Sequence, residues 1–575
     1  MSNKEIAKIL REISIYLEMD EVPFKPQAYE KAAFIIEDND QELSEIYKEQ
    51  GIKGIENIAG IGKSIAEKIQ ELLTTGKLKY YEDLKKKIPV DVSNLMLIEG
   101  LGPKTIKNLY EKLGIKNISD LEKAAREHKI RNLEGFGEKS ELKILKGIEF
   151  LKHSQGRFIL WYMMDDINKL YKRLSSLKEV QKITIAGSVR RHKETIGDID
   201  ILIVSGNPKS IMDYFVSMPE VINIYAHGDT KSSIKIKSGI DVDLRVVPAE
   251  SYGAALNYFT GSKEHNIALR ELALKHRWKL NEYGLFKANK MIAGKTEEEI
   301  YKKLGLDYVE PELRENTGEI QAAQNHTLPH LIKYGSLKGD LQVQTNWSDG
   351  ANSIEEMAKA AIDLGLEYIA ITDHTKRLAM ANGLDEKRIQ QQWKEIDKIN
   401  LKLKKQNIKF KILKSTECDI LKDGTLDLPD KILSKLDVVG VSIHSYFNLS
   451  KLEQTKRIKK ALANPNVDIL FHPTGRIINK REPYEIDIEQ IIDFAKKQNK
   501  ILEIDAYPER SDLKDEYIKK CVEKRVKMSI DSDAHHSSHF KFLEYGISQA
   551  RRGWATEKDI INTLHFEKFI SSLNH

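Results

Sequence analysis

The feature that most constrains this chain is a regular return, in its C-terminal half, of short apolar runs, most of which lead into a His, Asp or Glu. The runs are Tyr368 to Thr372, Phe410 to Leu413, Val438 to Ile443, Val467 to Phe471, Ile501 to Ile504 and Lys527 to Ile530. Each is short enough for a strand, and helical segments separate them. Such alternation builds a parallel β/α barrel or an open α/β sheet. Asp373 and His374 follow the first run and Glu417 the second; His444 and His472 close the third and fourth, and Asp533 and His535 follow the last. In a barrel these residues converge on the C-terminal rim of the strands. Convergent His, Asp and Glu donors suit Zn²⁺ or Mn²⁺. A lone histidine after a strand is usually structural; recurrence at one position carries the metal reading.

The rest of the chain has a different texture. Met1 to about Phe150 is helical and broken by glycine turns, Gly156 to Pro248 is rich in β-branched runs, and helical character returns from Ser251 to about Gly305. Pro311 to Tyr334 has two prolines and little periodicity and reads as a linker. With 575 residues the chain has room for several domains. No apolar run is long enough to span a bilayer. Met1 to Glu21 carries Ile6, Leu10, Ile13 and Leu17 at helical spacing and reads as an amphipathic helix rather than a signal peptide. Two cysteines, Cys418 and Cys521, exclude a disulfide framework and point to a reducing cytoplasm. The net charge of +5 decides little; the placement of lysines near glycine turns says more.

Three such turns resemble one another: Asn57-Ile-Ala-Gly-Ile-Gly-Lys-Ser64, Leu97-Ile-Glu-Gly-Leu-Gly-Pro-Lys104 and the looser Leu133-Glu-Gly-Phe-Gly-Glu-Lys139. Glycines permit a tight turn and a close approach. The following helix N-terminus offers free N–H groups to a phosphate. This is a helix-hairpin-helix pattern, which grips DNA phosphates through Gly60, Gly62, Lys63, Gly100, Gly102 and Lys104 without reading sequence. One copy alone reads equally well as a plain helix–helix turn.

Asp198 and Asp200 lie two apart at the head of an apolar strand and point to one face. Their mutual repulsion is tolerable if they share a divalent cation. Asp243 is a third candidate, with Asp241 its competitor. Upstream, Gly187-Ser-Val-Arg-Arg191 forms a turn after a strand, suited to a triphosphate.

Gly187-Ser188 followed by Asp198-Ile-Asp200 is the nucleotidyltransferase signature, and Tyr258-Phe-Thr-Gly-Ser262 with Asn266 and Arg270 resembles the thumb motif of family X DNA polymerases. The resemblance implies that Asp198 and Asp200 bind Mg²⁺ or Mn²⁺, that Asp243 joins them in activating the primer hydroxyl, and that Gly187, Ser188 and Arg191 hold phosphates. It implies that Tyr258 and Phe259 border the sugar, with Gly261 and Ser262 in the same nucleotide site, and that Asn266 and Arg270 probe the base pair. In the N-terminal domain, Lys25 and Tyr29 fall at positions that contact a 5′-phosphate, and Lys68 at that of a Schiff-base lyase nucleophile. Ser64 departs from the pattern, its neighbouring charge sitting at Lys63, and Lys68 also reads as an exposed helix lysine.

The C-terminal half resembles the PHP (polymerase and histidinol phosphatase) domain fused to many such polymerases. The implied metal ligands are Asp349, His374, Glu417, His444, His472, Asp533 and His535, but Gln342 and Gln344 stand where that family has His-x-His. One metal subsite is therefore expected to be impaired.

The expected architecture is multi-domain: α-helical domains over 1–80 and 81–153 with helix-hairpin-helix motifs, an α+β nucleotidyltransferase palm over 154–249, a thumb over 250–315, a linker over 316–334 and a β/α barrel over 335–575. The leading expectation is a monomeric polymerase filling gaps in gapped or nicked double-stranded DNA with dNTPs during base excision repair, away from membranes, with a barrel weak or inactive as a 3′–5′ exonuclease. The alternatives are a PHP nuclease served by a DNA-delivering front half, a non-catalytic DNA-end scaffold, and a nucleotidyltransferase acting on RNA ends or small molecules.

Overall fold

The computed structural model describes the whole chain except Asp38, Asp40, Ala59, Glu99, Gln155, Asn574 and His575, and for residues 150–154 the backbone alone. Ala59 and Glu99, in the first two glycine turns, thus lie outside the described residues. The chain forms two compact units, Met1–Gln155 with Asn479–Arg481, and Gly156–Ile478 with Glu482–His575.

In the first unit, helix Asn3–Met19 buries the expected stripe of Ile6, Leu10, Ile13 and Leu17. Ser2 and Glu5 close its N-terminus with a capping box. This helix serves two cores: one gathers residues from Ile6 to Leu78, while Tyr16 and Met19 join a second that runs from Ile88 to Ile148. The glycine turns share one geometry. Gly60, Gly100 and Gly135 adopt φ of 91°, 89° and 83°, a region that favours glycine. Ile61 and Leu101 are buried as the pegs of their turns. Helices Lys63–Thr75 and Pro103–Leu113 then begin at the N-caps Gly62 and Gly102, which have no side chain to cap their first N–H groups.

The second unit carries a mixed five-stranded sheet ordered Lys182–Ile185, Asp198–Val204, Asp241–Val247, Lys231–Ile236, Val221–His227. Asp198–Val204 and Asp241–Val247 are parallel, and their register sets Asp198 beside Asp241 and Asp200 beside Asp243. Ile199, Ile201, Ile203, Val242 and Leu244 fill the opposite face against Ile211 and Phe215. That apolar layer fixes the register, since a slip of one residue would bury the carboxylates instead.

Beyond the sheet, helices Tyr252–Thr260 and Lys263–Lys275 are followed by an antiparallel sheet of Trp278–Asn281, Gly284–Lys287 and Lys290–Ala293. This corrects the reading of Ser251 to about Gly305 as helical in character. Strands of four residues give too short a window for periodicity to tell from helix. The first turn is set locally: Asn281 Oδ1 accepts from the N–H groups of Tyr283 and Gly284 at 3.0 and 3.2 Å. The expected linker 316–334 is built into the fold. It carries helix Glu319–Gln324, buries Glu319, Ala323 and Ile332, and Ile332 N–H donates to the Ala555 carbonyl at 2.9 Å.

The C-terminal strands Gly339–Val343, Tyr368–Ile371, Lys411–Lys414, Glu417–Asp419, Gly440–Ser442, Ile469–Leu470, Ile501–Asp505 and Met528–Asp531 pair in parallel in two sheets. Bridges His374–Glu417 and Val343–Ala534 join the sheets into a barrel. Reciprocal bonds staple the last seam: Leu341 N–H donates to Asp531 at 2.8 Å and Ser532 N–H to Asp340 at 3.2 Å. Helix Phe566–Ser572 brings Phe569 to stack on Tyr368 at the opposite end from the histidines. Among the described residues no helix is long and apolar enough to cross a membrane.

Candidate active sites

The palm site is a cavity of about 350 Å³ lined by Gly187, Ser188, Arg191, Asp198, Asp200, Tyr258, Phe259, Gly261, Ser262, Lys263, Asn266 and Arg270. Sheet register supplies its acidic floor, and Asp243 stands beside Asp200. Burial first, then the Asp198 and Asp243 charges, push the Asp200 carboxyl up to about 7. Burial and Asp243 raise Asp198 as well. Arg245 and Arg191 offset this only in part, and Lys231 stands 3.9 Å from Asp243; divalent cations suit such a set. Asp241, the competitor, is ion-paired with Lys235 at 2.9 Å. Gly187, at φ 61°, lies so close that a Cβ would stand 2.1 Å from Asp200 Oδ2. The Ser188 hydroxyl is buried with no hydrogen-bond partner among the described residues, as befits a group awaiting a ligand oxygen.

Arg191 reaches the cavity under restraint. Its Nε donates to Glu315 at 2.9 Å, and its guanidinium also donates to the Thr260 carbonyl. Asn266 donates to the Tyr258 carbonyl at 2.7 Å, and Arg270 Nε to the Asn266 carbonyl at 3.2 Å. The Phe259 ring stacks under the Arg245 guanidinium, 4.4 Å from ring centre to charge. Ser262 caps helix Lys263–Lys275 through the His265 N–H, so its hydroxyl has a structural partner.

On the barrel rim two triads could each hold an ion: Asp349 with His374 and His535, and His374 with Glu417 and His444. His472 Nε2 adds a 2.7 Å contact to Glu417. Burial disfavours the charge on Glu417, but His374 and His444 outweigh it and hold its carboxyl well below the usual range.

The Gln342–Gln344 subsite does not fit a third cation. Gln344 turns its amide N–H onto Glu417 Oε2 at 2.9 Å, and Gln342, in the amide orientation that satisfies both atoms, donates to Glu503 at 2.5 and 3.2 Å. Donors thus occupy carboxylate lone pairs that a metal would need. Arg510 stands beside them, its Nε 3.4 Å from Asp505 and 3.5 Å from Asp533. Sequence reasoning missed Glu503, Asp505 and Arg510. Glu503 and Asp505 have a signal, since they alternate with Leu502 and Ile504 on strand Ile501–Asp505; Arg510 has none.

In the first unit Lys68 is half-buried, its Nζ 3.0 Å from both the Ser64 carbonyl and hydroxyl and 5.2 Å from the Tyr80 ring centre. Lys25 and Lys63 are exposed, and Lys104 pairs with Glu21 at 2.7 Å. Tyr29 is 6% exposed and stacks on Tyr80, so its ring serves the core rather than a surface.

Family models match in four places: a helix-hairpin-helix domain over 1–78, a SAM-like helix-hairpin-helix tandem over 92–149, a DNA polymerase beta thumb over 255–315 and a PHP domain over 340–562. Fold and sites together define the class: a nucleotidyltransferase palm and thumb joined to a PHP barrel. The chain is 38% identical over 567 residues, 98% of its length and 97% of the relative's, to DNA polymerase/3′-5′ exonuclease PolX of Bacillus subtilis. It belongs to the family X DNA polymerases that carry a PHP domain. Partial relatives match each half. DNA polymerase lambda of Arabidopsis thaliana is 27% identical over 302 residues, 46% of this chain and 54% of the relative. A probable phosphatase of Thermoanaerobacter sp. strain X514 is 34% identical over 223 residues, 37% of this chain and 84% of the relative.

Proposed function

We propose that the chain is a DNA-directed DNA polymerase that fills short gaps during base excision repair. The observation that carries this reading is the register that stands Asp200 beside Asp243, below the Gly187–Ser188 turn. Asp198 and Asp200 would hold Mg²⁺ or Mn²⁺, with Asp243 beside them. Divalent ions there supply neutralisation of the triphosphate and acidify the primer 3′-hydroxyl. Asp243 helps activate that hydroxyl. The Ser188 hydroxyl and the Arg191 guanidinium hold phosphate oxygens. Tyr258 and Phe259 border the sugar, and Asn266 and Arg270 face the base pair from the minor groove. The glycine turns of residues 57–64 and 97–104 grip phosphates on either side of a gap, and Lys68 is the candidate lyase amine.

The substrates are gapped or nicked double-stranded DNA and dNTPs, and the working form is a cytoplasmic monomer. The barrel, with its histidine triads intact and its glutamine subsite closed, is weak as a 3′–5′ exonuclease. The domain layout is the one expected above, except that residues 316–334 are packed into the fold and are not a linker. Incubation with a singly gapped duplex, dNTPs and Mg²⁺ or Mn²⁺ tests this, reading extension and 3′ degradation together. Extension with little degradation is expected. Absence of extension would overturn the polymerase reading, and degradation without extension would make the barrel the principal activity.

A further inference from the structure

The turn that carries Ser188 and Arg191 is held from behind by the barrel. After the helical turn Gly187–Arg190 the chain enters no regular element until Thr195, so a longer helix does not supply partners for the carbonyls in between. Three of them point to the barrel helix Phe542–Arg552. The Tyr545 hydroxyl donates to the Glu194 carbonyl at 3.2 Å, which also accepts the Leu160 N–H at 3.1 Å. Gln549 Nε2 donates to the His192 carbonyl at 3.0 Å, and the Arg552 guanidinium to the Arg191 carbonyl at 2.8 Å. Residues 545, 549 and 552 recur at helical spacing on one face, matching three carbonyls of a single loop.

The side chains of the loop are tied to the same scaffold. Arg476 of the barrel forks onto Glu194 at 3.1 and 2.6 Å. Arg552 also bonds Glu315 at 3.1 Å and Asp515 at 2.5 Å. Glu315 in turn holds Arg191 Nε, so one carboxylate links the nucleotide arginine to the barrel. Tyr545, Gln549, Arg552 and Arg476 are all buried. Buried donors bonded to half-buried carbonyls make a rigid seat, because breaking one bond leaves the donor without its partner.

We propose that the barrel helix is a working part of the polymerase nucleotide site: Tyr545, Gln549 and Arg552 are positioning residues that set Ser188 and Arg191 for the triphosphate, whatever hydrolysis the barrel retains. The proposal rests on the nucleotide reading of that turn. It gives the barrel a reason to be retained beside a glutamine-closed subsite.

The test is steady-state gap filling by full-length protein, titrating one dNTP, for wild type, Gln549→Leu, Tyr545→Phe, their double variant and Gln549→Glu. The first two keep side-chain volume and remove one donor each, and thermal unfolding of every variant is measured alongside. The double variant should raise the dNTP KM roughly 3- to 10-fold, the span of one or two hydrogen bonds, with the Kd for gapped DNA unchanged. Gln549→Glu, which sets an acceptor against the His192 carbonyl, should exceed Gln549→Leu; equal effects would mean packing alone and overturn the proposal. Hydrogen exchange over residues 188–194 should quicken in the double variant relative to the other palm strands. A folded double variant with unchanged KM and unchanged exchange would overturn the proposal while leaving the polymerase reading intact. Failure of wild type to extend at all would remove the polymerase reading, and this proposal with it.

Discussion

Gln344 donates its side-chain N–H to Glu417 Oε2 across 2.9 Å. An imidazole at that position would bring a nitrogen lone pair; the amide turns its N–H to the carboxylate and offers only a weakly donating oxygen, Gln344 Oε1, which is buried without a hydrogen-bond partner among the described residues. Gln342 acts likewise on Glu503. The double change Gln342→His with Gln344→His is therefore expected to raise the Mn²⁺ or Zn²⁺ content of the purified protein and to raise Mn²⁺-dependent degradation of a 3′ end. Strong degradation by wild type that Asp533→Ala eliminates would show that the glutamines are tolerated and defeat the idea.

In the palm, Asp200→Ala and Asp243→Ala should each lower extension of gapped DNA by at least about 100-fold, with DNA affinity and melting temperature little changed. Asp241→Asn loses only the 2.9 Å pair with Lys235 and should stay within a few-fold of wild type. Normal extension by either alanine variant would refute the carboxylate assignment.

A 5′-deoxyribose phosphate end should be trapped covalently by borohydride, and Lys68→Ala should remove most of the trapped product. The Lys68 amine has the Ser64 hydroxyl and carbonyl within 3.0 Å, which helps hold it in place. Undiminished trapping by the variant would assign the chemistry to another lysine.

Glu297 sits between two guanidinium groups, bonded to Arg190 at 2.9 and 2.7 Å and to Arg314 at 2.5 Å. Burial works against its charge, but Arg314 and Arg190 prevail and hold its carboxyl down, from an ordinary 4.5 to about 2. A carboxylate depressed in the folded state stabilises it above its unfolded pKa, and that contribution is lost as pH falls through the folded pKa. Melting temperature should therefore decline from about pH 4.5 toward pH 2, and Glu297→Gln should melt lower at neutral pH and lose less over that window. Parallel curves for the two proteins would rule out this network as a source of acid lability.

What was legible in the sequence was local. Asp198 and Asp200 share a face because a strand alternates every two residues, and Gly60 and Gly100 announce their turns because few other residues adopt such φ values. The apolar runs of the barrel reveal themselves one by one for the same reason. The short thumb strands were lost to the opposite circumstance, four residues being too few to show a period. The expected linker misled because its polar Glu319 is buried against His265 at 2.6 Å, a pairing that composition cannot reveal.

By itself the sequence determined the barrel strands, the carboxylate pair, the glycine turns and the absence of two histidines from the barrel rim, all of which depend on residue type and near spacing. Only the tertiary structure decided which aspartate stands beside Asp200, that the glutamine amides turn their protons to carboxylates, that Arg510 stands between Asp505 and Asp533, and that Arg552 grips a carbonyl 361 residues away. Register and hydrogen-bond direction are set by packing across strands and between elements, and contacts at such separation leave no periodic trace in a single chain.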